Sequence, residues 1–347
     1  MVPSPVSLKV IAPSRIDLAG ATLDIYPLYV FEGGGLTINV AIDLYSEVQL
    51  DTRSDGLIRI ESRDFGLSME AENLETLHCQ EEFRPLDLIV RILKFYRPHQ
   101  GLELRTKNSA PAGSGLGGSS SLLVSLSTSL IQLNNLPLNK NQMIEFGANI
   151  EAQSIRIPTG KQDYFPPAYG GFHALWFQLD GIRREQLIFS SAFLDQMKRQ
   201  ILLGYSGASR FSGTSNWNMM KRYIDSEGPT VSNFNSIKQT VLGMYESLME
   251  EDFDKFAESL AKEWEIRKTL AEGVTTPTVE KIFQAAQSEG ALASKLCGAG
   301  GGGCFITLVK EGRQQAVREA IESSGGQLLE YGFSMSGVQV LEEDYST

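Results

Sequence analysis

The stretch PAGSGLGGSSS, residues 111–121, constrains the fold more than any other part of the chain. Gly113, Gly115, Gly117 and Gly118 let the backbone take positive φ and come close to a ligand. Ser119, Ser120 and Ser121 follow, and Leu122, Leu123, Leu126, Leu130 and Leu133 then repeat on one helical face. A helix entered through such a loop presents unpaired N–H groups and the positive end of its dipole. Together these form a cradle for a phosphate. The plainer alternative is a serine-capped helix entry, which needs fewer glycines than are present.

Several nucleotide-binding patterns fail here. Gly113, Gly115 and Gly118 satisfy GxGxxG, but a dinucleotide fold also needs an acidic residue about 20 positions further on. No Asp or Glu lies between Glu103 and Glu145. GxxxxGK[ST] is absent, and so is the strand lysine that follows a protein-kinase glycine loop. Two more glycine clusters stand out. KLCGAGGGGCF, residues 295–305, places five glycines in six positions before a buried-type strand. Such a run is entropically costly unless a ligand or another segment comes close, a bulge or hairpin being the alternative. Gly33 to Gly35 lie between an aromatic segment and a strand, and read equally well as a turn.

Bulk composition narrows the classes. The chain has 347 residues, which suggests about two domains, and a net charge of −11. Nucleic-acid binders need a basic face, so a polyanionic partner is excluded. Cys79, Cys297 and Cys304 are too few and too scattered for a disulfide framework and point to a reducing compartment. His78, His99 and His173 lack metal-ligand spacing. The N-terminus does not read as a signal peptide, and no apolar run reaches the roughly 20 residues of a membrane span. A cytoplasmic protein with no membrane partner is expected. The oligomeric state stays open, a homodimer included.

The first half reads as strands, then helices. Val6–Ile11 and Leu36–Leu50 are expected strands, and GLIRIESRD is expected to pair with the second. Leu86–Tyr96 and Gln142–Ser154 are expected helices, and YGGFHALWFQLDGIRREQLIF a strand hairpin. The second half is more helical, with strands near Cys304–Val309 and Val338–Leu341. The domain boundary is expected near residue 185, giving segments 1–185 and 186–347.

Three motifs, in order, resemble the GHMP kinase superfamily of galactokinase, homoserine kinase, mevalonate kinase and phosphomevalonate kinase. APSRIDLAG, residues 12–20, resembles its N-terminal motif; PAGSGLGGSS, residues 111–120, its PxxxGLGSSAA-like phosphate loop; CGAGGGG, residues 297–303, its late glycine motif. APSRIDLAGATLD ending at Asp24, QDYFPPAYGGF at 162–172 and LGYSGASR at 203–210 are most similar to the sugar kinases related to D-glycero-D-manno-heptose 7-phosphate kinase. Two positions depart from the pattern: Gly118 stands where a serine or threonine is usual, and Ala21 where another glycine is usual.

The resemblance implies an α+β fold of two domains, ribosomal-S5-like then ferredoxin-like, with the active site in the cleft between them. It implies ATP-dependent phosphorylation of a sugar or sugar phosphate. Pro111, Gly113, Ser114, Gly115, Leu116, Gly117, Gly118, Ser119 and Ser120 would hold the nucleotide, and Ser119 and Glu151 would ligate Mg²⁺. Asp163, twelve residues after Glu151, would be the base. Arg15 would pair with Asp163 or meet the transferred phosphate charge. Asp24, Gly34, Gly35, Tyr164, Arg210, Gly300 and Gly301 would serve the substrate. Asp24 can accept two sugar hydroxyls, and Arg210 would clamp a phosphate already on the substrate or form a structural ion pair. Lys161 is a further candidate for phosphate charge or else an ordinary exposed lysine, and Tyr26, Tyr29, Tyr164, Phe165 and Tyr169 would wall the pocket or pack in the core. Cys297 and Cys304 read as small buried thiols. Another branch of the family and an inactive nucleotide- or sugar-binding homologue are the competing readings.

Overall fold

The computed structural model describes residues 5–207 and 212–345; Arg210 lies outside them. Two sheets organise the chain. The first is built from β1 (Val6–Ala19), β2 (Gly35–Arg53), β3 (Ile58–Ser62), β4 (Leu67–Ala71), β5 (Gly101–Asn108), β6 (Phe172–Gln178) and β7 (Gly181–Leu187). The second comprises β8 (Ile201–Tyr205), β9 (Ala291–Leu296), β10 (Cys304–Val309) and β11 (Gln327–Leu329). The last strand, β12 (Gln339–Tyr345), returns to pair antiparallel with β1.

The long β2 holds the first sheet together. One edge pairs with β1 along most of its length. The other edge pairs first with β6, from Gly35 to Val40, and then with β5, from Ser46 to Arg53. The GLIRIESRD strand does not reach β2. It lies parallel to β5, which fills the place beside β2. Sequence alternation identifies a half-buried strand but not its neighbour. The second sheet runs β11-β8-β10-β9, antiparallel throughout, the order of a ferredoxin-like layout.

Helices cover these sheets. On the first lie α1 (Leu28–Phe31), α2 (Asp87–Tyr96), α3 (Gly118–Leu133), α4 (Lys140–Ile155) and α5 (Phe165–Tyr169). Then come α6 (Ser191–Gln200), α7 (Ser212–Ile224), α8 (Thr230–Met249), α9 (Phe253–Arg267), α10 (Pro277–Ser288) and α11 (Gln314–Ser323). α4 starts where Asn139 accepts from the Gln142 N–H and the Gln142 side chain accepts from the Asn139 N–H, a reciprocal cap. One core packs α2, α3 and α4 on the first sheet; a second joins the inner part of β1 and β2 to α8, α9 and α10 and the second sheet. Residues 12–19 of β1 are therefore buried without interruption, which lets a strand carry charged groups into the interior.

Candidate active site

A cavity of about 640 Å³ opens over the N-terminus of α3. Its wall includes the loop from Pro111 to Gly115, then Gly117, Gly118 and Ser119. Gly117 caps α3 in the left-handed region at φ +71° and, having no side chain, leaves the first-turn N–H groups without a cap of its own. The helix end is left open to an anion. The positive φ favours glycine, and a Cβ on Gly117 would make a tight 3.2 Å contact with Arg15 Cγ. Gly118 has open space around it; a side chain there would fit.

The late glycine run braces this loop. The Cys304 N–H donates to the Ser114 carbonyl at 2.6 Å, and a Cβ on Gly303 would meet the same oxygen. A Cβ on Gly115 would lie 3.0 Å from Gly298 Cα. Gly298 and Ala299 reach the cavity wall, whereas Gly300 packs on the backbone of Val274 and the Gly301 N–H donates to the Val274 carbonyl at 2.8 Å. Gly34 and Gly35 likewise stand away from the wall. Gly35 packs against the Leu23 carbonyl and so shapes the turn that carries Asp24. Leu116 is buried, and its carbonyl accepts from the Arg15 N–H at 2.9 Å.

Arg15, near the middle of β1, ties the pieces together. Its Nε and Nη2 donate to the two Asp163 carboxylate oxygens at 2.8 Å each. Its Nη1 donates to the Cys297 carbonyl at 3.1 Å and to the Gly115 carbonyl. Burial pulls its pKa down, but Asp163 outweighs that and holds it above the ordinary value. Arg15 therefore links the base candidate to both glycine loops through one planar fork.

Glu151, on α4, faces the start of α3. Its Oε1 accepts from Ser119 Oγ at 2.5 Å, and its Oε2 accepts from Ser120 Oγ at 3.3 Å and from the Tyr164 hydroxyl. Burial pushes its pKa up, and the Ser119 and Tyr164 hydrogen bonds only partly offset this. Tyr164 is fully buried and touches the site through Glu151, not through the cavity wall. Ser119 and Glu151 form a pair of hard oxygen donors beside an anion-binding helix end, a set that suits Mg²⁺.

Asp24 lies on the cavity wall near Asp163 but is itself buried. Its Oδ1 accepts from the Thr22 N–H and its Oδ2 from the Gln162 N–H, both at 3.0 Å. Burial, aided by the Asp163 charge, pushes its pKa up to about 7. Gly160 presses on this carboxylate so closely that a Cβ there would collide with it.

Other expectations part from the structure. Lys161 does not meet the cavity; its Nζ donates to the Glu145 carboxylate at 2.7 and 2.8 Å. Of the five aromatic candidates none lines the cavity: Tyr164 and Phe165 are core, and Tyr26 stands exposed against Tyr29. Phe65 lines it instead, with Asp64, Arg84, Leu88 and Asn108, a wall that carried no signal in the sequence. Cys297 and Cys304 are buried thiols, Cys304 pushed up to about 12 by burial. Also unforeseen is a buried ionic cluster behind the cavity, joining Asp17 and Lys295 to Glu263 and Arg267. Lys295 outweighs burial and holds Asp17 below its ordinary pKa.

Comparison with known proteins agrees with the motif order. Residues 87–171 match the family described as GHMP kinases N terminal domain, and residues 244–327 match GHMP kinases C terminal. The D-glycero-alpha-D-manno-heptose 7-phosphate kinase of Campylobacter jejuni is 28% identical over 336 residues, covering 96% of this chain and 98% of that protein. A mevalonate kinase of Thermococcus sibiricus is 26% identical over 344 residues, covering 95% and 97%. The crystal structure of a D-glycero-D-manno-heptose 1-phosphate kinase from Bacteriodes thetaiotaomicron superposes with a TM-score of 0.78 at 25% identity, covering 98% of this chain and all of that one. With both family domains in order around one glycine-lined cavity, the chain belongs to the GHMP kinases.

Proposed function

We propose that this kinase transfers the γ-phosphoryl group of ATP to a hydroxyl of a sugar phosphate of the heptose phosphate class. The observation that carries the reading is the convergence on one cavity of the open α3 N-terminus, the Arg15–Asp163 pair and the Asp24 carboxylate. Similarity over nearly the whole length to a heptose 7-phosphate kinase and to a heptose 1-phosphate kinase structure supports the substrate class.

The chemistry follows from the donors and acceptors. The loop from Gly113 to Ser119 and the first-turn N–H groups of α3 hold the nucleotide's phosphates. Mg²⁺ would be held by Ser119 and Glu151 and would neutralise charge on those phosphates. Asp24 accepts hydrogen bonds from sugar hydroxyls and orients the ring. Asp163 accepts the proton of the attacking hydroxyl while its oxygen bonds to the γ-phosphorus and the bond to the ADP oxygen breaks. Arg15 fixes the Asp163 carboxylate so that it meets the hydroxyl in one orientation. A mevalonate-like substrate is disfavoured by Asp24, whose two acceptor oxygens suit a polyhydroxyl ligand. The inactive-homologue reading is disfavoured because Asp163, Glu151 and Ser119 are all in place.

The same reading assigns residues 1–185 to the nucleotide-binding half and residues 186–347 to the second half, with the last strand lent back to the first sheet. It implies the cytoplasm, where ATP is supplied and the three free cysteines stay reduced. The test is ADP release with Mg²⁺ and ATP across heptose 7-phosphate, heptose 1-phosphate, galactose and mevalonate. Turnover confined to a heptose phosphate is expected. Turnover with mevalonate alone would overturn the substrate class.

A further inference from the structure

The turn formed by residues 20–24 carries Asp24 into the cavity, and its backbone is strained. Thr22 sits at φ +79°, where a β-branched residue is a true outlier and persists only if its surroundings enforce it. Enforcement comes from a residue some 245 positions further along the chain. Arg267, the last residue of α9, is fully buried; its Nη2 donates to the Ala21 carbonyl at 2.8 Å and its Nη1 to Thr22 Oγ1 at 3.4 Å. Its Nε and Nη2 also grip Glu263 Oε1 at 2.8 and 2.5 Å, and that same oxygen accepts from the Gly20 N–H at 3.4 Å. Glu263 Oε2 lies 3.7 Å from Lys295 Nζ, which pairs with Asp17 on β1. The turn is therefore clamped at residues 20, 21 and 22, and the Thr22 N–H in turn donates to Asp24.

A buried ion pair of this kind gives little net stability, because desolvation offsets the Coulomb attraction. Its value lies in geometry: a planar fork with five donors fixes a backbone carbonyl, a hydroxyl and a carboxylate at once. We propose that Arg267, anchored by Glu263, is a positioning residue for the sugar substrate, holding the turn of residues 20–24 so that Asp24 presents its carboxylate to the sugar hydroxyls. The proposal rests on the sugar-phosphate kinase reading for its substrate and on the turn geometry for the rest.

The test uses Arg267→Lys, which keeps the charge but loses the fork. Hydrogen exchange at residues 20–24 is expected to quicken while that of the phosphate loop, residues 113–120, stays unchanged. KM for the sugar phosphate is expected to rise about tenfold, the effect of losing one charge-assisted hydrogen bond, with KM for ATP within about twofold. Glu263→Asp, which withdraws the anchor at constant charge, is expected to repeat the pattern more mildly. Arg267→Met adds a pH readout. Among the described residues, Asp163, Asp17 and Arg267 act on Asp24, and Arg15 and Glu151 share its cavity; removing the Arg267 cation moves the acidic limb of kcat/KM for the sugar to higher pH, whereas Arg267→Lys leaves it in place. Unchanged exchange at residues 20–24 in Arg267→Lys, or equal rises in KM for sugar and ATP, would overturn the proposal. If the wild-type enzyme turns over no sugar phosphate, the substrate reading falls, and the exchange measurement still decides the role of Arg267.

Discussion

Replacing Asp24 by Asn should stabilise the ligand-free protein at alkaline pH and not at acid pH, while weakening sugar binding. The sign follows from linkage. The folded-state pKa of Asp24 is pushed up to about 7 from 3.8, first by burial and then by Asp163. An acid whose pKa is raised on folding loses stability as pH climbs from the unfolded value to the folded one. Three units at about 1.4 kcal/mol each give roughly 4 kcal/mol of wild-type stability lost between about pH 4 and pH 7, then no further loss. The neutral amide of the variant carries no such penalty. It does lose one acceptor, leaving either the Thr22 or the Gln162 N–H without a partner, at about 1–3 kcal/mol independent of pH. The variant should therefore be the less stable protein at pH 4.5 and the more stable by about 1–3 kcal/mol at pH 8. Urea unfolding of both proteins at pH 4.5, 6 and 8 measures this. A stability difference that does not change with pH would refute the reasoning, since Asp24 would then carry no raised pKa. The same titration predicts that sugar KM rises as pH falls below about 7, when the carboxylate takes up a proton.

Other perturbations separate the parts of the site. Gly117→Ala forces a side chain into the left-handed region, at about 1–2 kcal/mol, and against Arg15; KM for ATP should rise at least tenfold in initial-rate assays, with sugar KM little changed. Glu151→Gln should raise the Mg²⁺ concentration for half-maximal rate by tenfold or more in a metal titration, because a neutral amide replaces a buried carboxylate that Ser119, Ser120 and Tyr164 all hold.

The glycine-rich loop, the helix behind it and the late glycine run were legible in the sequence because close backbone approach leaves a compositional mark. What they approach was not legible. Gly300 and Gly301 contact Val274, and Gly35 contacts Leu23, so glycine at those places supports the site from behind. Of the two roles open to Arg15 in the sequence, pairing with Asp163 or meeting transferred phosphate charge, the structure shows the pairing, with both carboxylate oxygens engaged. The two readings of Lys161, phosphate contact or plain surface lysine, could not be separated in the sequence, because a lysine reads the same whether it meets a ligand or Glu145. The cluster of Asp17, Lys295, Glu263 and Arg267 was missed for a related reason. Glu263 and Arg267, four apart on a helix, look like an ordinary solvent-facing pair, and only the fold buries them. The wall of Asp64, Phe65, Arg84 and Asn108 comes from a hairpin, a helix approach and a strand end that no spacing connects.

The most direct test of the central claim is the effect of Asp163→Asn on phosphoryl transfer to a heptose phosphate. If Asp163 takes the proton of the attacking hydroxyl, kcat should fall by about 10²–10⁴ while ATP binding, measured by calorimetry, stays within about twofold. An Asn variant that retains near wild-type kcat would contradict the assignment of this cavity, with Asp163 at its centre, as the site of transfer.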